Sequence, residues 1–237
     1  MMYPMLQLTH LSGGYKKGMD VIHDICLTMS AGEAVGIVGL NGSGKSTLGK
    51  AIMNLLPYRS GDIAFAGELM NGRKSSEISR DGIGMMQQGG TVFRTLSVQE
   101  NIRLAFERNE DSTHRERLIA MIPLLTDSKK ANLRADKLSG GERQALSLAM
   151  TLAGNPKLVI LDEPSAGLAP LDVLSTFRLL TTVREVLGTS IILIEQNFTR
   201  AVEFCDRILL LESGRVISEH RDKNIQEIEK QLFKNKR

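Results

Sequence analysis

Gly39-Leu40-Asn41-Gly42-Ser43-Gly44-Lys45-Ser46 fills every position of the phosphate-loop pattern. Just ahead of it, Ala34 to Val38 is an apolar run of strand length. Just behind it, Leu48, Ile52, Leu55 and Leu56 recur at helical spacing, predicting a helix that ends at Pro57. A buried strand, a glycine-rich turn and a helix in that order make a phosphate cradle. Its glycines let backbone N–H groups curl around β- and γ-phosphates. Lys45 adds a mobile positive charge, the Ser46 hydroxyl suits Mg2+, and Thr47 is a further phosphate donor. Gly39, Asn41, Gly42, Ser43, Gly44, Lys45, Ser46 and Thr47 are therefore the candidate nucleotide contacts. Kinases, GTPases and other ATPases all carry such a loop.

Two further stretches narrow the choice. Leu158-Val159-Ile160-Leu161 reads as a fully buried strand, and Asp162-Glu163 places two carboxylates at its end. An acidic turn is the plain explanation; the chemical one puts Asp162 beside a phosphate-bound Mg2+, holding it through water. Leu138-Ser139-Gly140-Gly141-Glu142-Arg143-Gln144 begins a helix with the capping-box pair Ser139 and Glu142. Leu146, Ala149, Leu152 and Ala153 continue it, and Gly154-Asn155-Pro156 stops it. Two glycines in a first turn cost roughly 1 kcal/mol each. At the positive end of a helix they suit the close approach of a phosphate, which makes Ser139, Gly140 and Gly141 candidate contacts.

The length of 237 residues suffices for one large α/β domain. A net charge of +3 is too small to indicate nucleic acid, and the basic end Lys234-Asn235-Lys236-Arg237 reads as a solvated terminus. Cys26 and Cys205 fit neither a disulfide nor a metal spacing, which suits a reducing compartment. No apolar run reaches the roughly 18–20 residues of a membrane span, and no signal peptide is evident. The expectation is a cytoplasmic chain.

Elements alternate along the chain. Leu6, Leu8 and Leu11, then Val21-Ile22 and Ile25 to Met29, read as strands separated by turn-rich Ser12-Gly13-Gly14 and Lys16-Lys17-Gly18. Ile63 to Ala66, Ile83 to Met86, Leu158 to Leu161 and Ser190 to Ile194 read as further strands, and Ile208 to Leu211 with Arg215 to Ser218 as a late hairpin. Residues from Val98 to about Lys137 are helical and charged, and a helix is predicted from about Leu171 to Leu187. Asn224 to Phe233 has the spacing of a short amphipathic helix. Strands alternating with helices imply a mainly parallel sheet.

The phosphate loop, the Ser139 run and the acidic strand, in that order, resemble the nucleotide-binding subunits of ATP-binding-cassette (ABC) transporters over nearly the whole chain. The resemblance implies an α/β P-loop NTPase (RecA-like) fold, with a mainly parallel core, an antiparallel β subdomain and an inserted α-helical subdomain. It implies a single nucleotide-binding domain over 1–237: core at about 1–88 and 155–220, helical part at about 89–154, tail at 221–237. Glu163 becomes the general base for the attacking water. Gln88, followed by Gly89, matches the family's glutamine loop at the metal and the water; Gln87 is the alternative register. Tyr15 matches the aromatic that stacks on adenine.

Two positions depart from the common pattern. Ala169, in Ser165-Ala166-Gly167-Leu168-Ala169-Pro170, stands where many relatives have aspartate. Gln196, in Glu195-Gln196-Asn197, stands where many have the switch histidine. Glutamine still hydrogen-bonds a γ-phosphate but does not titrate near neutral pH. This pairing, with Val92-Phe93 and Val98-Gln99-Glu100-Asn101, resembles ATPases of branched-chain amino-acid and related polar-solute importers.

The resemblance implies Mg2+-dependent ATP hydrolysis by two such subunits docked head to tail. Lys45, Ser46 and Asp162 of one would face Ser139 and Gly141 of the other. It also implies transmembrane permease subunits, an extracytoplasmic solute-binding protein reached through them, a place on the cytoplasmic face of the membrane, and no nucleic acid partner. The alternatives are a cytosolic ABC ATPase acting on ribosomes or DNA, and a hydrolysis-poor regulatory subunit. A single motif set and only about a hundred residues between phosphate loop and signature weigh against the former. Intact Lys45, Asp162 and Glu163 weigh against the latter.

Overall fold

Alternating apolar residues open the chain as two antiparallel strands, β1 (Leu6–Gly14) and β2 (Ile22–Met29), with Leu6 opposite Met29 and Leu8 opposite Leu27. Then come β3 (Ala34–Val38), α1 (Lys45–Ile52), β4 (Tyr58–Phe65), β5 (Glu68–Leu69) and α2 (Ser75–Asp81). Next are β6 (Ile83–Met86), α3 (Val98–Phe106), α4 (Ser112–Met121), α5 (Pro123–Thr126), a 3-10 turn at Ala135–Lys137, and α6 (Gly140–Leu152). The chain continues through β7 (Leu158–Asp162), α7 (Pro170–Leu187), β8 (Ser190–Glu195), α8 (Phe198–Phe204), β9 (Arg207–Glu212) and β10 (Arg215–His220). This computed structural model describes residues 3–107, 109, 111–222, 225, 226, 228 and 230. The expected amphipathic helix at Asn224 to Phe233 falls mostly outside them.

The chain divides into two units, Met1–Asp81 with Ser190–Arg237, and Gly82–Thr189. The first holds the antiparallel sheet β2-β1-β4-β5 and the strands β10-β9-β3-β8, in which β3 runs parallel to both β8 and β9. Every residue of β3 and β8 is buried, as strands sandwiched on both faces require. Leu48, Ile52 and Ala51 of α1 are fully buried in this unit. In the second unit β6 and β7 pair in parallel, Ile83 opposite Leu158, and the remaining elements are helical.

Three local expectations change. Ser12-Gly13-Gly14 is part of β1 rather than a turn, with Gly13 opposite Arg59 and Gly14 opposite Tyr58. The glycine serves close backbone approach: a Cβ on Gly13 would lie 2.9 Å from the Tyr58 carbonyl oxygen. The helix α1 ends at Ile52, five residues before Pro57, because Asn54 turns left-handed at φ 51° and Leu55 N–H bonds back to Lys50 O at 2.8 Å. Leu55 is consequently 43% exposed, not buried on the helix face. Finally, β4 begins at Tyr58 rather than Ile63, and Ala66-Gly67, both at positive φ, turn it into β5.

Candidate functional site

The phosphate loop leaves β3 and is pinned from below by the β9–β10 turn. Gly214 N–H donates to Ser43 O at 2.8 Å, and Gly39 lies so close to β9 that a Cβ would meet Leu211 O at 2.2 Å. Gly44, at φ 102°, occupies the N-cap of α1, and no side chain caps that helix. An uncapped N-terminus aimed by a tight loop attracts an anion. Lys45 is buried, and its Nζ donates to Gly39 O at 2.8 Å and Leu40 O at 3.0 Å, both within the loop itself. The Ser43 hydroxyl is buried with no hydrogen-bond partner, and a Cβ on Gly42 would meet open space. An orphaned donor beside an open cradle fits a phosphate group. Tyr15, 53% exposed, stands beside this loop: its hydroxyl is 3.5 Å from Thr47 Oγ1 and 3.4 Å from Lys50 Nζ. The Lys50 ammonium also lies over the ring, 5.6 Å from its centre.

At the end of β7 in the second unit, Asp162 and Glu163 are buried, 3% and 7% exposed. Glu163 adopts φ 49°, left-handed for a residue that is not glycine. Such strain concentrates where geometry serves chemistry. Gln88, just past β6, donates from Nε2 to Glu163 Oε2 at 2.8 Å, whereas Gln87 contributes its backbone carbonyl to a turn with Gly90 N–H at 3.0 Å. Gln88, not its neighbour, is thus the glutamine that meets the acidic pair.

The run at Ser139 forms the capping box read from its sequence. Ser139 Oγ accepts from Glu142 N–H at 3.2 Å, and Glu142 Oε2 accepts from Ser139 N–H at 2.9 Å. A Cβ on Gly141 would sit 2.6 Å from the Asp172 carboxylate, so any side chain there forces Asp172 to move. Glu142 also pairs with Lys130. The Lys130 hydrogen bond, then that of the Ser139 backbone, holds the Glu142 carboxyl below its ordinary range. The same carboxylate raises Lys130. A cavity of about 440 Å³ opens at the start of α6, lined by Ser139, Gly141, Leu124, Leu148, Asp172 and Leu180 among others.

Three contacts had no sequence signal as functional. Gln144 Nε2 donates to Pro164 O at 2.6 Å, tying α6 to the loop after the carboxylates. Ser147 Oγ accepts from Thr91 N–H at 2.8 Å, tying it to the segment after Gln88. Asn101 is fully buried, accepts from Phe93 N–H at 2.8 Å and donates to Ser97 O at 2.9 Å, so it shapes that segment. Gln144 and Asn101 belong to runs singled out by sequence, but only their spatial partners reveal what they hold.

Gln196 follows β8 in the first unit and is exposed; its backbone N–H, like that of Asn197, donates to Glu195 Oε2, at 3.2 and 3.4 Å. Ala169 is the N-cap of α7 without a side-chain bond, and Pro170 supplies the first turn.

Residues 22–166, more than half of the chain, match the sequence profile of the ABC transporter family. The chain belongs to that family. This ABC protein is an ATP-binding ATPase subunit of the P-loop NTPase fold. It is 34% identical to the high-affinity branched-chain amino acid transport ATP-binding protein BraG of Pseudomonas aeruginosa, over 90% of this chain and 91% of that one. It is 31% identical to the lipopolysaccharide export system ATP-binding protein LptB of Escherichia coli, over 90% and 89%. Among solved structures it resembles cbiO1 of Clostridium perfringens, part of the ABC transporter complex cbiONQ, with TM-score 0.80, 27% identity, and 99% and 92% of the two chains covered. A second is the dimeric post-hydrolysis state of the ATP-binding cassette MJ0796 with ADP and Pi: TM-score 0.78, 26% identity, coverage 92% and 98%. Among the described residues of this ABC protein no helix is long and apolar enough to cross a membrane.

Proposed function

We propose that this ABC ATPase energises the uptake of amino acids or similar polar solutes through separate transmembrane permease subunits. Two branched-chain amino acid transport relatives, from Pseudomonas aeruginosa and Archaeoglobus fulgidus, at 34% identity each against 31% for the Escherichia coli LptB, carry the reading. The Gln196 and Ala169 variations favour the same side. The cassette works at the cytoplasmic face of the membrane with a second ATP-binding subunit. An extracytoplasmic binding protein delivers the solute to the permease.

The nucleotide lies on the phosphate loop, with Tyr15 against the base, Asn41, Gly42, Ser43 and Thr47 on phosphate oxygens, and Lys45 turned from its carbonyls to the β- and γ-phosphates. Ser46, Asp162 and Gln88 offer the hard oxygen donors that Mg2+ takes, and the ion would neutralise phosphate charge. Glu163 accepts a proton from the attacking water, while Gln88 keeps its carboxylate aimed. Gln196 hydrogen-bonds the γ-phosphate. The α6 start of the second subunit, at Ser139, Gly140 and Gly141, completes the phosphate cage; the dimeric, ADP- and Pi-bound MJ0796 structure supports a pairing of two cassettes. ATP joins the two subunits and hydrolysis releases them. The helical part at about 89–154 passes that closure to the permease.

The test is purification of the tagged chain from its own gently solubilised membranes. Multi-spanning partners together with a solute-binding protein that stimulates ATP hydrolysis establish uptake. Spanning partners alone would favour export, as in the LptB relatives. Ribosomes or nucleic acid would move the protein out of transport altogether.

A further inference from the structure

His10, Asp24 and Cys26 lie outside the phosphate loop, the Ser139 run and the acidic strand end, and nothing in the nucleotide chemistry uses them. The fold brings them together through two facing irregularities in the β1–β2 pair. Between Leu8 and Leu11, β1 has one residue more than β2, and between Ile25 and Ile22 the excess passes to β2. His10 sits in the first bulge at φ 51° and Asp24 in the second at φ 55°, both left-handed without being glycine. Bulges of this kind re-aim side chains, and paired ones restore the overall register while doing so.

The re-aimed groups converge. His10 Nδ1 is 2.6 Å from Asp24 Oδ1 and 3.9 Å from Cys26 Sγ, and the three donor atoms all lie within 4.8 Å of one another. Asp24 is fixed by its backbone N–H on Ser12 Oγ at 2.8 Å, and Cys26 Sγ accepts from His10 N–H at 3.4 Å. A tetrahedral zinc ion with N, O and S donors sets them about 3.4–3.6 Å apart. The imidazole–thiol spacing is near that already. The carboxylate must retreat by under about 1 Å, exchanging a hydrogen bond for a metal bond.

We propose that His10, Asp24 and Cys26 form a binding site for a zinc-class divalent cation, with water in the fourth position. The imidazole, thiolate and carboxylate set favours zinc over calcium or magnesium, which prefer oxygen alone. All three side chains are exposed, so the ion enters from solvent without opening the sheet. The sequence offered no metal spacing for Cys26; only the two bulges create the site.

The experiment is titration of the full, reduced, nucleotide-free chain with Co2+ and then Zn2+. A thiolate-to-cobalt charge-transfer band identifies a sulfur ligand, which the phosphate-loop region cannot supply. The expected result is one Co2+ per chain with that band, displaced by Zn2+. The band should vanish in Cys26→Ser, and His10→Ala should weaken binding at least tenfold. Cys205 is buried and unchanged in both variants; their thermal unfolding and ATP hydrolysis should match the parent. Absence of the band in the parent, or its survival in Cys26→Ser, overturns the proposal and leaves a hydrogen-bonded His10–Asp24 pair.

Discussion

Gln88 and Glu163, 75 residues apart in sequence, share a 2.8 Å hydrogen bond from Nε2 to Oε2. The bond fixes a strained, buried carboxylate in one orientation and leaves the Gln88 carbonyl oxygen to face elsewhere. In Glu163→Gln the new amide carbonyl still accepts from Gln88, so geometry survives while basicity is lost. Hydrolysis should fall at least about a hundredfold, within the usual range for a positioned proton acceptor. ATP affinity, read with a fluorescent analogue, should stay within threefold. Gln88→Ala should lower kcat roughly tenfold, about 1.4 kcal/mol, with KM little changed. Unaltered turnover in Glu163→Gln would remove that residue from catalysis.

Lys45 is satisfied within the loop by Gly39 O and Leu40 O. Nucleotide binding must exchange these carbonyls for phosphate, a trade favoured by charge. Lys45→Met keeps the buried stem and removes the ammonium. The fold should persist by circular dichroism, and ATP affinity should weaken at least tenfold, or about 1.4 kcal/mol. Equal affinities in a direct binding titration would show that the loop amides alone hold the phosphates.

Tyr15 is held through its hydroxyl by Thr47 and Lys50, the Lys50 ammonium lies over its ring, and the residue stays half exposed. Stacking on a base is worth about 1 kcal/mol beyond area burial. Tyr15→Ala should therefore raise the ATP dissociation constant about fivefold, and Tyr15→Phe should leave it near the parent value. If alanine and phenylalanine weaken binding equally, the hydroxyl rather than the ring matters.

What the sequence displayed well was local. The phosphate loop and the Ser139 cap are contiguous, so spacing alone specifies a turn, a helix start and their amides. The glycines of β1 misled because a glycine that frees a turn and one that admits a neighbouring strand look alike until Tyr58 is placed beside Gly13. Leu55 kept helical spacing beyond the real end of α1, where Asn54 turned the chain. Gln144, Ser147 and Lys130 act through partners 20, 56 and 12 residues away. No periodicity encodes those pairings; they are set by how α6 packs within its unit.

Gln196 is exposed at the end of β8, where its backbone N–H and that of Asn197 donate to Glu195 Oε2. A glutamine in this position donates or accepts without gaining charge. Gln196→Ala should slow hydrolysis at least tenfold, about 1.4 kcal/mol. Gln196→His should add an ionisation near neutral pH to the rate profile, which the parent profile lacks there on account of residue 196. A parent-like rate in the alanine variant would show that the side chain does not reach nucleotide.

Lys130 and Glu142 tie the start of α6 to the segment before it. Glu142 is held below its ordinary pKa of 4.5, first by the Lys130 bond and then by the Ser139 backbone, and Lys130 is raised above 10.5 by Glu142. A depressed carboxylate contributes stability that is whole above its unfolded pKa and is lost as pH falls through the folded one. A raised lysine contributes below its unfolded pKa and loses that as pH climbs through the folded one. The pair therefore works across a plateau between about pH 5 and 10. Lys130→Met should lower the unfolding midpoint by a constant amount on that plateau, and the deficit should shrink as the pH drops below 4.5. High salt should shrink it too, since both side chains are partly exposed. A deficit that persists unchanged at acid pH would mean that Lys130 stabilises α6 by packing its stem rather than through Glu142.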